Sequence, residues 1–280
     1  MPESCASPHL PALPLPWRLE DIDLGAIERD RVRGDETLFF LLATSSFVEI
    51  ASALYARNLC TYYTADDTVL DWLNGHWEQE EIQHGRALRA YVQGVWPEFD
   101  WKAANTAFYA DYGARCTLDE FEPTQALELA ARCVVEMATA TFYRTVHDYT
   151  DEPVLKTITG HIKSDEVRHY SHFWRFFERY RAREKLGRIK TLRAIVRRVL
   201  EVANDDGLIA YRHAFAVRYP DRRFERRHYD AFQADLKRIL RRHFPVDMGL
   251  KMLLKPLDLP AALQRLVVPP LRKGVGLVLA

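Results

Sequence analysis

Four glutamates occupy the apolar faces of segments whose sequence pattern predicts long helices. Two are followed three residues later by histidine, and each of these pairs has a lone glutamate 32 or 30 residues upstream. Three residues turn a helix by about 300°, so glutamate and histidine share one face. A buried carboxylate without compensation is costly or takes up a proton, so the pattern demands a partner. The six residues are Glu49, Glu81, His84, Glu136, Glu166 and His169.

The repeated pattern predicts two helical hairpins of one design. Packed antiparallel, they would bring four carboxylates and two imidazoles to one level of a four-helix bundle, which is the ligand set of di-iron carboxylate bundles. Ligands rich in oxygen, with one imidazole per ion, favour iron or manganese over zinc. We therefore predict two iron ions, with a mixed manganese–iron pair as the alternative. A metal-free bundle held by buried Glu–His hydrogen bonds is the other interpretation.

Three further side chains are expected near the ligands. Asp165, and less strongly Glu80, each precede a ligand glutamate and are candidates to accept the second ring proton of a ligand histidine. A solvated helix face is the alternative for both. Thr139, three residues after Glu136, could donate a hydrogen bond or proton to bound oxygen, or bond back to its own helix.

Another Glu-x-x-His pair, Glu225 and His228, stands among arginines and is interpreted as an exposed ion-pair cluster. Cys60 and Cys133 fall in apolar helical stretches and are expected to be core residues.

Helix signals divide the chain into an arm, a bundle and a C-terminal part. Asp35 is placed to cap a first helix, and Pro153 suits the first turn of a fourth. The region 97–122 shows no sustained period and is predicted to be a long connection. The apolar tail from Pro245 is expected to be broken by Pro256, Pro260, Pro269 and Pro270. The four predicted bundle helices span about 35–63, 66–94, 124–149 and 153–180, and two further helices span 188–219 and 221–244.

Three domains are predicted. They are an N-terminal arm at 1–30, a ferritin-like four-helix bundle at 31–185, and basic helices with an apolar tail packed on the bundle at 186–280.

Charge is balanced overall but unevenly distributed. Of 39 basic and 39 acidic residues, the stretch 181–244 holds 18 and 8. Either this stretch meets an acidic partner, or it packs against the acidic remainder of the chain. The apolar run 38–56 carries one charge, Glu49, and is read as a buried helix rather than a membrane span. The absence of a signal peptide and of Cys-x-x-Cys motifs favours a cytoplasmic protein. We further expect no membrane insertion and no nucleic-acid partner.

Three segments resemble the acyl-carrier-protein desaturases of the ferritin-like di-iron superfamily. The segment from Trp77 to Gly85 is similar to that family's Glu-Glu-x-x-His-Gly motif, and Asp165 to His169 is similar to its Asp-Glu-x-Arg-His motif. Glu136 to Thr139 is similar to its Glu-x-Ala-Thr stretch, where the threonine lies beside the dioxygen site. The resemblance covers roughly residues 35–180.

The resemblance implies a di-iron oxidase that uses dioxygen and two electrons, usually from ferredoxin, to attack an unactivated C–H bond. It further implies a homodimer, an apolar channel for an acyl or other apolar substrate, and an acidic carrier protein docking on a basic face. Two alternatives remain open: a small-molecule di-iron oxygenase or N-oxygenase of a biosynthetic pathway, and a ferroxidase or other iron-handling protein.

Overall fold

A computed structural model describes residues 15–202 and 206–279 of the chain. Within these ranges every regular element is helical and no strand occurs, so the predicted all-α class is confirmed. Short 3₁₀ turns join several of the helices. The helices are α1 (Glu36–Tyr62), α2 (Asp67–Trp72), a π-helical turn (Leu73–Trp77), α3 (Glu78–Val95), α4 (Trp101–Gly113), α5 (Gln125–Tyr149), α6 (Pro153–Glu184), α7 (Arg188–Val202), α8 (Asp206–Arg218), α9 (Arg226–His243), α10 (Val246–Leu254) and α11 (Ala261–Leu279).

The ligand-bearing helices α1, α5 and α6 begin where their capping residues predict. Asp35 accepts a hydrogen bond from the backbone N–H of Leu38 at 2.9 Å, and Thr124 caps α5 in the same way. Glu152 caps α6, its Oε2 accepting from the N–H of Leu155 at 2.7 Å. Each cap satisfies a donor that the first helical turn would otherwise leave without a partner.

The long connection predicted at 97–122 contains a helix that the sequence pattern did not indicate. Asp100 caps a thirteen-residue helix, α4, by accepting from the N–H of Ala103. Trp101, Ala104 and Phe108 are buried at helical spacing, so the apolar period is present but short. The many other aromatic residues around it obscured that period.

The C-terminal region also departs from prediction. The helix expected at 188–219 is observed as α7 and α8, with residues 203–205 outside the described ranges. Pro256 and Pro260 lie in the interruption between α10 and α11, as predicted, whereas α11 runs through Pro269 and Pro270. This part of α11 is exposed, so water can solvate the carbonyls that lose their helical donors.

The chain forms two compact units with interleaved segments. Of the described residues, the first contains 15–121, Asp151–Ile158 and 206–232, and the second contains Glu122–Thr150, 159–202 and 233–279. In the first unit α1 packs along α3, and α4 and α8 pack on α1. In the second unit α7 and α10 pack on α5. The predicted domain ranges 1–30, 31–185 and 186–280 stay a prediction; residues 1–14 of the predicted arm lie outside the described residues.

Within each unit, arginines of the basic stretch pair with acidic residues from elsewhere in the chain. In the first unit Arg218 lies 3.0 Å from Glu98, and Arg212 pairs with Asp111. In the second unit Arg197 pairs with the buried Glu122. These contacts support the intramolecular interpretation of the charge asymmetry; an acidic partner stays a prediction.

Helix α1 is long and apolar enough to cross a membrane by length and composition alone. Its most apolar 18-residue window has a mean hydropathy of 1.7, and 56% of that window is buried inside the protein. A core helix of a soluble protein has the same character.

Candidate metal centre

The first unit brings three predicted ligands together, on α1 and α3. Glu49, Glu81 and His84 are all buried, and one ligand atom from each lies within 4.8 Å of the others. The Nδ1 atom of His84 is 3.6 Å from Oε2 of Glu49. We call these three residues triad 1.

Triad 1 depends on a close approach of two helix backbones at Gly85. A Cβ added to Gly85 would lie 2.5 Å from Cγ1 of Ile50, 2.9 Å from its backbone nitrogen and 3.0 Å from the carbonyl oxygen of Ser46. A side chain would therefore push α1 and α3 apart. Because Gly85 follows His84 and Ile50 follows Glu49, this contact sets the separation of two ligands.

The N-terminal region supplies a neighbour that sequence reasoning did not identify. The ring of Trp17 stacks on the imidazole of His84, with centroids 6.3 Å apart and planes 5° from parallel. Gln83 donates a hydrogen bond to the carbonyl of Trp17 at 2.9 Å. Trp17 thus covers His84 and helps to orient it. No periodic signal marks an isolated tryptophan in a proline-rich arm as a site residue.

A π-helical turn, Leu73–Trp77, lies directly before the α3 motif. Such turns insert one extra residue and shift the register of the residues after them, and they occur often at functional sites. The turn leads into the buried carboxylate Glu78, one helical turn before Glu81. Burial raises the pKa of Glu78 above its usual value of 4.5, and the charge of Arg57 opposes this rise.

The second unit repeats the arrangement on α5 and α6. Glu136, Glu166 and His169 are buried, and one ligand atom from each lies within 4.8 Å of the others. The Nδ1 atom of His169 is 3.6 Å from Oε2 of Glu136 and 3.8 Å from Oε2 of Glu166. We call these residues triad 2.

Two donors hold the carboxylates of triad 2. Arg132, a buried arginine one turn before Glu136, donates to Oε1 of that glutamate at 2.9 Å. Thr139 Oγ1 lies 2.7 Å from Glu166 Oε2, and 3.1 and 3.2 Å from two carbonyl oxygens of its own helix. The contact with the carboxylate is the shortest and is charge-assisted. The predicted proximity of Thr139 to the ligands is therefore observed, and its hydroxyl also lies within reach of the helix carbonyls.

Desolvation dominates the electrostatics of Glu136. Burial raises the pKa of its carboxyl, while the neighbouring His169 ring and the Arg132 guanidinium lower it. The negative charge of Glu166 raises it further. Burial likewise raises the pKa of the Cys133 thiol, so this cysteine is a core residue, as predicted, rather than a thiolate ligand.

Asp165 is buried next to Glu166 and forms an ion pair with Arg168 at 2.7 Å. Glu80 is also buried, which argues against the solvated-face interpretation of both residues. Their predicted hydrogen bonds to the ring nitrogens of ligand histidines stay a prediction. At Glu225 the expected exposed ion pair is observed, with Arg227 at 2.9 Å.

The separations within the triads are compatible with shared metal ligands. A hydrogen bond between a ring nitrogen and a carboxylate would measure about 2.7 to 3.2 Å. Two atoms that each lie about 2.1 Å from one ion are roughly 3 to 3.6 Å apart. The distance of 3.6 Å from histidine to glutamate, found in both triads, agrees with the second case. Each triad also offers two carboxylates and one imidazole, groups that could hold a metal ion.

The triads lie in different units, and their convergence on one centre stays a prediction. Comparisons with known proteins add no assignment: no family model, no curated protein and no solved structure matches this chain. Within the described residues the structure shows an all-helical class and two buried Glu–Glu–His groups that could hold metal ions.

Proposed function

We propose that this protein is a non-haem di-iron, dioxygen-dependent oxidoreductase that attacks an unactivated C–H bond. Each triad would hold one iron ion. One observation carries the proposal: two buried groups of the same composition, on two helix pairs, show the same histidine-to-glutamate distance of 3.6 Å. Metal-free burial of four carboxylates would need extensive compensation instead.

The finer parts of the proposal rest on the sequence resemblance. The ligand-bearing helices α1, α3, α5 and α6 would form a ferritin-like four-helix bundle, and the enzyme would be similar to acyl-carrier-protein desaturases. Its substrate would be an acyl or other apolar molecule, carried by an acidic protein, with a ferredoxin-like electron donor. A homodimer and a cytoplasmic location belong to the same proposal.

The residues near the triads have definable roles in such a reaction. When bound, the reduced iron pair supplies the activation of dioxygen for attack on the substrate. The Oγ1 atom of Thr139 lies 2.7 Å from Glu166 Oε2, where its hydroxyl orients that carboxylate and can transfer a proton. Arg132 holds Oε1 of Glu136, which leaves Oε2 directed to His169. The buried surroundings exclude water from the ligands.

Metal analysis of iron-reconstituted protein tests the proposal first. We expect two iron ions per chain, falling to one in His84→Ala and to one in His169→Ala. The variants His76→Ala and His172→Ala, on the same stretches of chain, are matched controls and should keep two ions. Magnetic coupling between the two ions would identify one shared centre. No bound iron, or equal loss in the control variants, would contradict the proposal.

Turnover tests separate the rival activities. Reduced, iron-loaded protein should consume dioxygen and oxidise an acyl chain presented on a carrier protein, by desaturation or hydroxylation. Oxidation of a free small molecule instead would identify a small-molecule oxygenase. Oxidation and accumulation of iron without substrate would identify a ferroxidase. Either of these outcomes would overturn the desaturase-like assignment while retaining the metal sites.

A further inference from the structure

The two ligand repeats can be compared position by position, because Glu49 corresponds to Glu136 and the two Glu-x-x-His motifs align. The residue four before the lone glutamate is Ser45 in one repeat and Arg132 in the other. The residue one before His84 is Gln83, and its counterpart before His169 is Arg168. The remaining counterparts are Glu78 and Lys163, and Glu80 and Asp165.

These residue differences give the two repeats different formal charges. Around triad 1 the compared positions hold four carboxylates and no cation, a formal charge of −4, and the charge of Arg57 acts on Glu78 from outside these positions. Around triad 2 they hold three carboxylates and three cations, a formal charge of 0. The charges of Lys163 and Arg168 are partly screened, because both side chains reach solvent. Arg132 is different, because its side chain is only 8% exposed.

Arg132 acts directly on one ligand of triad 2. Its Nη2 atom lies 2.9 Å from Oε1 of Glu136, and its guanidinium stacks 5.4 Å above the ring of Phe173. An arginine stays charged at every relevant pH. A cation bound by Glu136 must therefore share that carboxylate with a fixed positive charge, at a site where little water screens their repulsion.

We propose that the two triads are unequal cation sites, with triad 1 binding tightly and triad 2 weakly, and that Arg132 is the residue that sets this order. Arg132 is a positioning residue: it restrains Oε1 of Glu136 and opposes the incoming charge. The inference rests on the metal binding in the proposed function, but not on the oxidation chemistry. It predicts stepwise loading and different exchange rates for the two ions.

Calorimetric titration with Co²⁺ tests this order in variants that keep a single triad. His169→Ala retains triad 1 and His84→Ala retains triad 2. We expect the dissociation constant of His84→Ala to exceed that of His169→Ala by about 10-fold or more, the usual scale for groups that support metal ligands. Equal constants, or tighter binding in His84→Ala, would overturn the inference.

The role of Arg132 is tested in the His84→Ala background. Replacing Arg132 with Met should tighten Co²⁺ binding by about 10- to 100-fold, whereas Arg132→Lys, which keeps the charge, should leave it nearly unchanged. Equal effects of Met and Lys would overturn the assignment to charge. The converse change, Ser45→Arg in the His169→Ala background, should weaken binding at triad 1, and unchanged affinity in a folded variant would contradict the inference.

The Ser45→Arg arm keeps the test decisive if Arg132→Met fails to fold, with circular dichroism of helix content as the check. Absence of Co²⁺ binding in every variant and in the unaltered protein would overturn both the inference and the proposed function. Binding of two Co²⁺ ions with one common affinity would overturn the inference alone. The failures of the two proposals are thus distinguishable.

Discussion

Triad 1 and triad 2 have the same kinds of ligand and the same Glu-x-x-His motif, yet their surroundings differ. His84 of triad 1 is covered by Trp17, and the residue beside it is an uncharged glutamine. In triad 2, Arg132 holds a ligand glutamate, and Arg168 pairs with the adjacent Asp165. Helix periodicity fixes which residues can be ligands, whereas residues one turn away determine the electrostatic environment of those ligands.

The hydroxyls beside the lone glutamates show the same contrast. Ser52 lies three residues after Glu49, and Thr139 lies three residues after Glu136. Ser52 donates back to the carbonyl of Glu49 at 2.5 Å, whereas Thr139 reaches the Glu166 carboxylate at 2.7 Å. Equivalent positions in sequence can thus stabilise the helix in one repeat and a ligand in the other.

The residue after each histidine differs most in size. Gly85 follows His84 and allows α1 and α3 to touch. Tyr170 follows His169, is buried, and donates its hydroxyl to the carbonyl of Met252 at 2.5 Å. Triad 1 is therefore held by close backbone packing, and triad 2 by side-chain contacts that extend to α10.

The largest effect is expected for Arg132→Met in metal-free protein. This change leaves the buried Glu136 without its ion-pair partner and should lower the free energy of unfolding by about 3–5 kcal/mol, as measured by urea denaturation. The control at the equivalent position of triad 1, Ser45→Ala, should change it by less than about 0.5 kcal/mol. Similar losses of stability in both variants would contradict an electrostatic difference between the triads.

Gly85→Ala should have the next largest effect. The added methyl group would collide with Ile50, so we expect a loss of about 1–3 kcal/mol on urea denaturation and weaker metal binding at triad 1. Gly75→Ala is the matched control, because no atom lies within 4 Å of its added Cβ. Retention of full stability and metal affinity by Gly85→Ala would show that triad 1 does not need the close helix contact.

Thr139→Val removes the hydroxyl that contacts Glu166 while keeping its shape. The expected cost is about 1 to 1.5 kcal/mol of stability in metal-free protein, since hydrogen bonds to charged groups exceed neutral ones. Ser52→Ala should cost less than about 0.5 kcal/mol, and Thr139→Ser should behave like the unaltered protein. Equal costs at Ser52 and Thr139 would indicate that both hydroxyls serve only their helices.

Glu78→Gln should give the smallest effect, visible mainly as a change with pH. Because the folded-state pKa of Glu78 is raised above 4.5, its protonated form is favoured by folding, and this contribution is lost as pH rises through that raised pKa. Glu78→Gln should therefore gain stability relative to the unaltered protein as pH rises from about 5 to 8. Urea midpoints across this interval give the comparison, with Glu20→Gln as an exposed control. Parallel curves for Glu78→Gln and the unaltered protein would contradict the expectation.

Much of the secondary structure was predictable because its signals are local. Asp35, Thr124 and Glu152 cap helices where the sequence places them, and the six proposed ligands are buried as their seam positions require. Helix α4, within the predicted connection at 97–122, was missed because its apolar period is short and mixed with other aromatic residues. The prediction for Pro269 and Pro270 was wrong because an exposed helix can tolerate prolines when water solvates the freed carbonyls.

By itself, the sequence determined which residues share a helix face, because a period of 3.6 residues is fixed by backbone geometry. That was enough to select Glu49, Glu81, His84, Glu136, Glu166 and His169. Only the tertiary structure decided that Trp17 covers His84, that Arg132 holds Glu136, and that Gly85 lets two backbones touch. Contacts with a residue such as Trp17, distant in the chain, follow no local period. The direction of a long side chain such as Arg132 depends on the space left by packing.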